Sequence, residues 1–448
     1  MGSMRVPSWV WVVLVSTHVL ALCWAMSQEK WNFPDSDRYS QAAENLRVHK
    51  ELYARPWPQS APRGQAVQEF TIRPLGYPLF VLGLGNGTQR PVLLLLVQNL
   101  LSLLNIGLVL RWWTWWARPS ISEWSLALGI ILTFPAQLIY ANAVMSEALL
   151  QTVVLAMTAG SYLFIKTGSK RYLVGVAGAL VAALLLKPVF YPLTIGLVGV
   201  GGLLAWRRQQ ISLALIGMMP LVVVVTYMEW NRQRTGYFHF SSIAEINLLH
   251  YNAAGVVRQI DGPMAEEKWV AAVLREANTQ PDFASRQQLI QARAGAVLWE
   301  HPVVYARQHL QGMVTFFLDP GRFDVSEFAG LAPPKGGGLL TQTRAGGLLR
   351  AVSRLPLGLL ATLSLVFLTN VARLLLAVCG LWQLKNSGPA QRYGGWIVVG
   401  LLLYVAFLTG PLGAARFLVP VWPLLLGLAL VGLHWGNSIK REEGGASR

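Results

Sequence analysis

The sequence is short of charge. Only 13% of its 448 residues are Asp, Glu, Lys or Arg, against about 25% in an ordinary soluble chain. A soluble chain of this length would divide into several domains with polar surfaces, and so few charges could not wet them. Cysteine is nearly missing, with Cys23 and Cys379 as the two in the chain, which excludes a disulfide-stapled scaffold. Acids are scarcer than bases, 21 against 37. No Gly-rich loop of the P-loop or dinucleotide type stands at a strand–helix junction, so no nucleotide site is expected. What is plentiful is apolar: 54% of residues are hydrophobic and 18 are Trp. That excludes a disordered or fibrous chain and leaves a polytopic membrane protein.

The formal net charge is +16. In a soluble protein this excess would point to nucleic acid. No soluble segment here carries a basic patch with stacking aromatics, so no nucleic-acid partner is expected. Basic residues at cytoplasmic loop ends produce the same excess with no ligand at all.

A helix crossing the bilayer needs about 20 mostly apolar residues. Ten stretches qualify, at roughly 8–26, 91–110, 124–141, 144–165, 172–186, 189–205, 211–229, 357–383, 395–410 and 417–435. One set of connections holds Arg5, Arg111, Arg118, Lys166, Lys170, Arg171, Arg207, Arg208, Lys385, Arg392, Lys440, Arg441 and Arg448, with few acids. The positive-inside rule makes that set cytoplasmic. Both termini are then cytoplasmic, which needs an even number of spans, and the expected site is the bacterial cytoplasmic (inner) membrane. The expected organisation is a first helix at 1–26, a first external loop at 27–90 and six spans over 91–230. A large external loop at 231–356, three spans over 357–436 and a tail at 437–448 complete it. The first stretch reads as an uncleaved signal anchor in preference to a cleaved signal peptide. Leu22 before Cys23 disfavours a lipoprotein, and Asn86-Gly87-Thr88 fits a glycosylation sequon of the kind common by chance.

Few charges lie inside or at the edges of the spans: Glu147, Lys187, Arg373 and Arg416. Each costs about 2.5–3.5 kcal/mol at mid-bilayer, so a functional reading is the default, with snorkelling from a helix end as the alternative. Glu147, Lys187 and Arg416 all fall at expected external ends, where snorkelling is cheap. Three separate turns thus bring one acid and two bases to the outer surface, and the first loop adds Asp35 and Asp37. Carboxylates and cations at headgroup level suit an anionic lipid phosphate, with carboxylates left for acid–base work or a divalent metal. Asp35 and Glu147 would be the metal ligands, although two carboxylates make a poor metal signature. For Arg373, which lies deeper, pairing and snorkelling are both open.

In the first loop, Pro34 and Asp35 sit where a helix would begin, and Asp35 suits its cap. A cap is the commoner role for an Asp ahead of a helix. Tyr39, Ala42, Ala43 and Leu46 then share one helical stripe. Arg73-Pro74-Leu75-Gly76-Tyr77-Pro78 follows, just before the second span.

These strings resemble the GT-C glycosyltransferases, more narrowly the bacterial relatives of the protein O-mannosyltransferases and of the lipid A aminoarabinose transferase. Pro34-Asp35-Ser36 with Tyr39 matches the family's first-loop Asp motif, and Arg73-Pro74-Leu75-Gly76-Tyr77-Pro78 its Arg-Pro-x-Gly-Tyr-Pro string. Met145-Ser146-Glu147-Ala148-Leu149 matches the start of the fourth span, and Ala415-Arg416-Phe417-Leu418-Val419-Pro420 the opening of the last. Leu186-Lys187-Pro188 replaces the usual Thr-Arg-Pro, which keeps the charge and loses bidentate phosphate geometry. Trp230-Asn231-Arg232 reverses the family's Arg-Asn order. The resemblance covers the seven-span core and the last span. It implies a GT-C fold with about ten transmembrane helices and amphipathic helices in the external loop. It also implies a donor sugar on a polyprenyl phosphate in the outer leaflet. Asp35 would be the general base of an inverting transfer to an acceptor hydroxyl, with Asp37 as a second candidate. Arg73, Lys187 and Arg416 would bind the donor phosphate, and Asp37, Tyr39, Tyr77 and Glu147 would position substrate or metal. The acceptor is a lipid, a glycan or a protein.

In the large loop, residues 265–277, 285–300 and 302–318 have helical spacing of apolar residues. The end of the third, Met313 to Leu318, suits either a membrane-lying helix or a small helical domain over the core. Residues 321–350, with Pro333-Pro334 and repeated Gly, read as a mobile loop gating an acceptor path or as a plain connector. His239, His250, His301 and His309 match no zinc spacing. Trp112-Trp113-Thr114-Trp115-Trp116 is explained by a cytoplasmic headgroup belt. The rival functions are a multispan transporter or lipid flippase, and a polysaccharide polymerase or ligase. No repeat relates the halves, and the charges gather at one face away from the midplane, which favours an interfacial enzyme over a transporter.

Overall fold

The computed structural model describes residues 5–84, 91–331 and 355–446, with side chains in the last stretch described as far as residue 434. The sequon at 86–88 and the Pro- and Gly-rich part of the 321–350 loop from residue 332 onward lie outside the described residues. Among the described residues every regular element is a helix. The chain begins with α1 (Ser8–Ser27), apolar on all sides, then α2 (Ser36–Val48) and the short α3 (Gly76–Gly83). Next come α4 (Val92–Trp116), α5 (Ile121–Leu132), α6 (Pro135–Ala141), α7 (Glu147–Thr167), α8 (Lys170–Leu186), α9 (Tyr191–Arg208) and α10 (Ile211–Thr235). The segment after α10 folds as α11 (Ile243–Asn247), α12 (Ala254–Asp261), α13 (Pro263–Asn278), α14 (Phe283–Glu300), α15 (Pro302–Leu318) and α16 (Arg322–Phe328). The bundle is completed by α17 (Leu357–Lys385), α18 (Pro389–Thr409), the one-turn α19 (Ala415–Leu418) and α20 (Trp422–Ala446).

Each of the ten apolar stretches carries helix, but they are not ten equal spans. Among the described residues, eight helices are long and apolar enough to cross a membrane. A ninth crossing would be the pair α5 and α6, bent by 59°. The bend follows from Pro135, whose ring cannot continue the preceding ladder. The tenth stretch is α8, at 17 residues. At 1.5 Å per residue that is about 25 Å, short of the roughly 30 Å hydrocarbon core.

The last span is the axis of the bundle. Residues 418–433 are all buried, and α17 packs along them at close range. Gly380 and Gly432 make this approach possible, because a Cβ at either would collide with a backbone carbonyl of the other helix, Leu428 and Leu376 respectively. A buried amide network ties the same span to its neighbours. Gln151 donates to the Val419 carbonyl at 2.7 Å and Gln137 to Gln151 at 3.0 Å. Gln137 also donates to Ser102 at 2.7 Å, and His18 meets the same hydroxyl at 2.9 Å. With no water at this depth each amide must find a protein partner, so α1, α4, α6 and α7 are locked around the start of the last span.

Arg373 is buried and does not snorkel, and among the described residues it pairs with no acid. Ending α5 at Leu132 turns the Phe134 N–H onto Ile131 at 3.2 Å, so the Ile130 carbonyl loses its helical partner. Arg373 takes it with Nη2 at 2.8 Å and reaches Thr133 at 2.5 Å. Its guanidinium lies over Trp422, 5.1 Å from the ring centroid. It is a brace for the bent pair.

The apolar end of α15 packs against the bundle. Phe316 is fully buried in the main core. Gly312 brings this helix so close to residues 410–413 that a Cβ would strike the Gly410 carbonyl. Helices α11 to α16 thereby form a roof anchored to α18 and the last span.

Candidate active site

Five charged side chains from five separate segments meet at one end of the bundle. Asp35 stands at the N-cap position of α2, Arg73 in the turn before α3, and Glu147 at the first residue of α7. Lys187 follows the end of α8, and Arg416 opens the last span. Antiparallel neighbours place such ends side by side, which is why residues nearly 400 positions apart converge.

They form a chain of alternating sign. Arg73 donates from Nη2 to Asp35 Oδ1. Arg416 donates from Nη2 to Asp35 Oδ2 at 2.5 Å and from Nε to Glu147 Oε1 at 3.1 Å. Lys187 donates to the same Glu147 oxygen at 2.6 Å. Glu147 is completely buried, while Asp35 keeps 18% and Arg416 21% of its side chain exposed. Three cations against two carboxylates leave one positive charge in excess. Aromatic faces support the cations: Arg73 lies 5.1 Å from the Tyr39 centroid, and Lys187 and Arg416 lie 5.8 and 5.5 Å from Phe417.

Asp35 does not cap its helix. No side-chain cap bond is made at that position, and both carboxylate oxygens go to arginines instead. Burial pushes its carboxyl up, but Arg416, Arg73 and Lys187 outweigh burial and hold it well below the usual carboxylate range. It is ionised at any ordinary pH.

The remaining sequence candidates divide. Tyr39 is buried and lines the cavity beside Asp35. Tyr77 stands behind it, edge-on at 4.7 Å, with its hydroxyl donating to Gln98 at 2.6 Å. It supports the site without reaching the cavity. Asp37 is exposed on the first turn of α2 and does not line the cavity. Asp35 and Glu147 share Arg416 between them. No group of three or more His, Cys, Asp or Glu among the described residues is arranged to hold a metal ion. Of the loop histidines, His309 bonds the Phe407 carbonyl at 2.8 Å and His239 the Thr71 hydroxyl at 2.8 Å, both within the packing of the roof.

Three residues of the site carry no sequence signal: Tyr140, Asp319 and Asp324. Asp319 accepts from the Ala415 N–H at 2.8 Å and so fixes the turn that presents Arg416. Asp324 accepts from the Tyr140 hydroxyl at 2.9 Å. The string Asp319-Pro320-Gly321 reads as a helix stop, and nothing in it marks a second acidic corner.

Asp35, Tyr39, Arg73, Lys187 and Arg416 border one cavity of about 2540 Å³, above the roughly 300–1,000 Å³ of a small-molecule pocket. Its polar end is lined by Asp35, Arg73, Lys187, Arg416, Tyr140 and Asp324. Its flank is lined from α17 by Leu360, Leu363, Phe367 and Leu368, and the last two are 43% and 64% exposed. A charged end and an apolar side that opens outward are therefore parts of one space.

Two solved structures are similar over most of the chain. ArnT from Cupriavidus metallidurans bound to undecaprenyl phosphate is 17% identical, over 98% of this chain and 79% of that one, with a TM-score of 0.36. ArnT from the same organism in the apo state is 14% identical, over 95% and 76%, with a TM-score of 0.34. No protein-family model and no curated protein matches the chain.

Proposed function

We propose that this protein is an integral-membrane glycosyltransferase of the GT-C type, moving a sugar from a polyprenyl-phosphate donor to an acceptor hydroxyl at the outer membrane face. One observation carries this: the surplus of cations and the outward-opening apolar flank line the same cavity. A polyprenyl phosphate has those two parts, an anionic head and a long apolar chain.

The chemistry then follows from charge. A sugar-bearing lipid phosphate is a diester with one negative charge. When the bond to the sugar breaks, the leaving monoester carries about −1.5 to −2. Arg73, Lys187 and Arg416 therefore hold the leaving group more strongly than the intact donor, and that difference lowers the barrier. Asp35 accepts the proton of the attacking hydroxyl. Arg416 and Arg73 suppress its basicity. A phosphate arriving among the cations competes for Arg416 and Arg73 and restores it, so the base is strongest when the donor is bound. A single in-line displacement inverts the sugar carbon.

The test uses proteoliposomes loaded with radiolabelled undecaprenyl-phosphate sugars. A transferase releases free lipid phosphate only when an acceptor is present. Movement of intact label across the bilayer with no acceptor-dependent release would establish a flippase instead.

A further inference from the structure

Asp324 has no part in the transfer as derived so far, yet it borders the same end of the cavity as Arg416. The Tyr140 hydroxyl holds its Oδ1. Its Oδ2 carries no hydrogen bond among the described residues. Tyr140 is itself fixed, 99% buried from solvent, with its ring 5.7 Å from Phe33, two residues before Asp35. Asp319 adds a second acid behind Asp324, already committed to the Gly321 and Ala415 N–H groups. Asp319 and Asp324 thus give this cavity end an acidic side, next to the alternating chain of Arg73, Asp35, Arg416, Glu147 and Lys187. A phosphate is repelled from the acidic side. A neutral hydroxyl, which donates a hydrogen bond to a carboxylate, is attracted to it.

The donor sugar is joined directly to the phosphate, so an acid that lines the same cavity and lies close enough to feel the charge of Arg416 is a candidate to meet the sugar's ring hydroxyls. We propose that Asp324, fixed by Tyr140, binds a hydroxyl of the donor sugar and positions the sugar beside the phosphate. This rests on the lipid-phosphate donor proposed above. Asp324 is a positioning residue, distinct from the base Asp35. Burial pushes its carboxyl up to about 6. The Tyr140 hydrogen bond and Arg416 oppose that rise, and Asp319 and Glu147 add to it. These are the groups that face it from α6, the last span, the preceding turn and α7.

The experiment compares binding of undecaprenyl phosphate with binding of undecaprenyl phosphate carrying mannose, glucose or galactose to the full chain in detergent, by native mass spectrometry. The wild type should prefer at least one sugar-bearing lipid. Asp324→Asn should lose that preference by roughly tenfold, about the worth of one charge-assisted hydrogen bond, while binding bare undecaprenyl phosphate at least as tightly as the wild type. The wild-type preference should fade as pH falls through about 6, where the carboxylate protonates. Tyr140→Phe should move that midpoint to higher pH, because the lost hydrogen bond stabilised the charged form. The second variant removes one hydroxyl and keeps the ring, so it reports even if Asp324→Asn folds poorly. A wild type with no sugar preference, or a preference and midpoint untouched by either variant, overturns the inference and leaves the donor class standing. Failure of the wild type to bind either lipid overturns the donor class.

Discussion

Arg416 is the residue on which the site turns. It touches both carboxylates, through Nη2 to Asp35 and Nε to Glu147, and only a guanidinium has two donor edges so placed. Arg416→Lys keeps the charge but lets one carboxylate go. We expect transfer to fall roughly ten- to a hundredfold, chiefly in kcat, as the geometry around the base loosens; an unchanged kcat would show that bridging is unimportant. Asp35→Asn is the sharper test. Loss of the base should lower transfer by roughly 10²–10⁴-fold. The same change releases Arg73 and Arg416, so undecaprenyl phosphate should bind at least as tightly as to the wild type. A merely damaged protein would lose both. The pH dependence separates the two acids. Asp35 sits below the usual range and stays ionised as pH falls, so it gives no limb near neutrality. Asp324 is raised to about 6, so its carboxylate is present above that pH and lost below it. Activity should therefore fall on the acid side with a midpoint near Asp324's, and Asp324→Asn should abolish that limb in a pH profile of kcat/KM.

At the scale of elements, the site depends on where helices begin and end. α7 starts at Glu147 and the last span at Ala415. Each start is set locally, the second by Asp319 on the Ala415 N–H. The bend between α5 and α6 brings Tyr140 to the cavity, and Arg373 braces it by taking the Ile130 carbonyl. Arg373→Met keeps the bulk and leaves that carbonyl with only the long Thr133 hydroxyl contact at 3.4 Å. It should lower unfolding stability by about 2–3 kcal/mol, read by thermal unfolding in detergent, with transfer reduced as Tyr140 loses its place. The contact of α15 with residues 410–413 tolerates no Cβ at Gly312. Gly312→Val should displace the roof at a cost of about 1–3 kcal/mol, seen as protease sensitivity of residues 236–331 while the bundle stays folded.

At the scale of the whole molecule, orientation rests on the distribution of Lys and Arg. By the positive-inside rule the 13 basic residues of the set read as cytoplasmic predict that the site lies outside. A Cys placed by Lys268→Cys in the roof should react with a membrane-impermeant maleimide on intact cells. One placed by Lys166→Cys, at the end of α7, should react only after lysis. The reverse pattern would put the cavity in the cytoplasm and remove the outer-leaflet donor.

The sequence by itself determined that the chain is a membrane bundle, because composition and apolar run length act locally and need no tertiary contact. It also determined which charges are costly enough to matter: Glu147, Lys187, Arg373 and Arg416 stand out wherever the helices go. It named Asp35 and Arg73 through a resemblance in short strings. Only the tertiary structure decided what those charges do. That Asp35 sits between two arginines and is no cap, that Arg373 braces a bend, and that Tyr77 and Asp37 stand back from the cavity all depend on distances between segments far apart in the chain. Asp324 shows the limit most plainly. An acid on a short amphipathic helix looks like solvated surface, and only packing of α16 against α6 and the last span gives it a partner, a low-dielectric setting and a cavity to face.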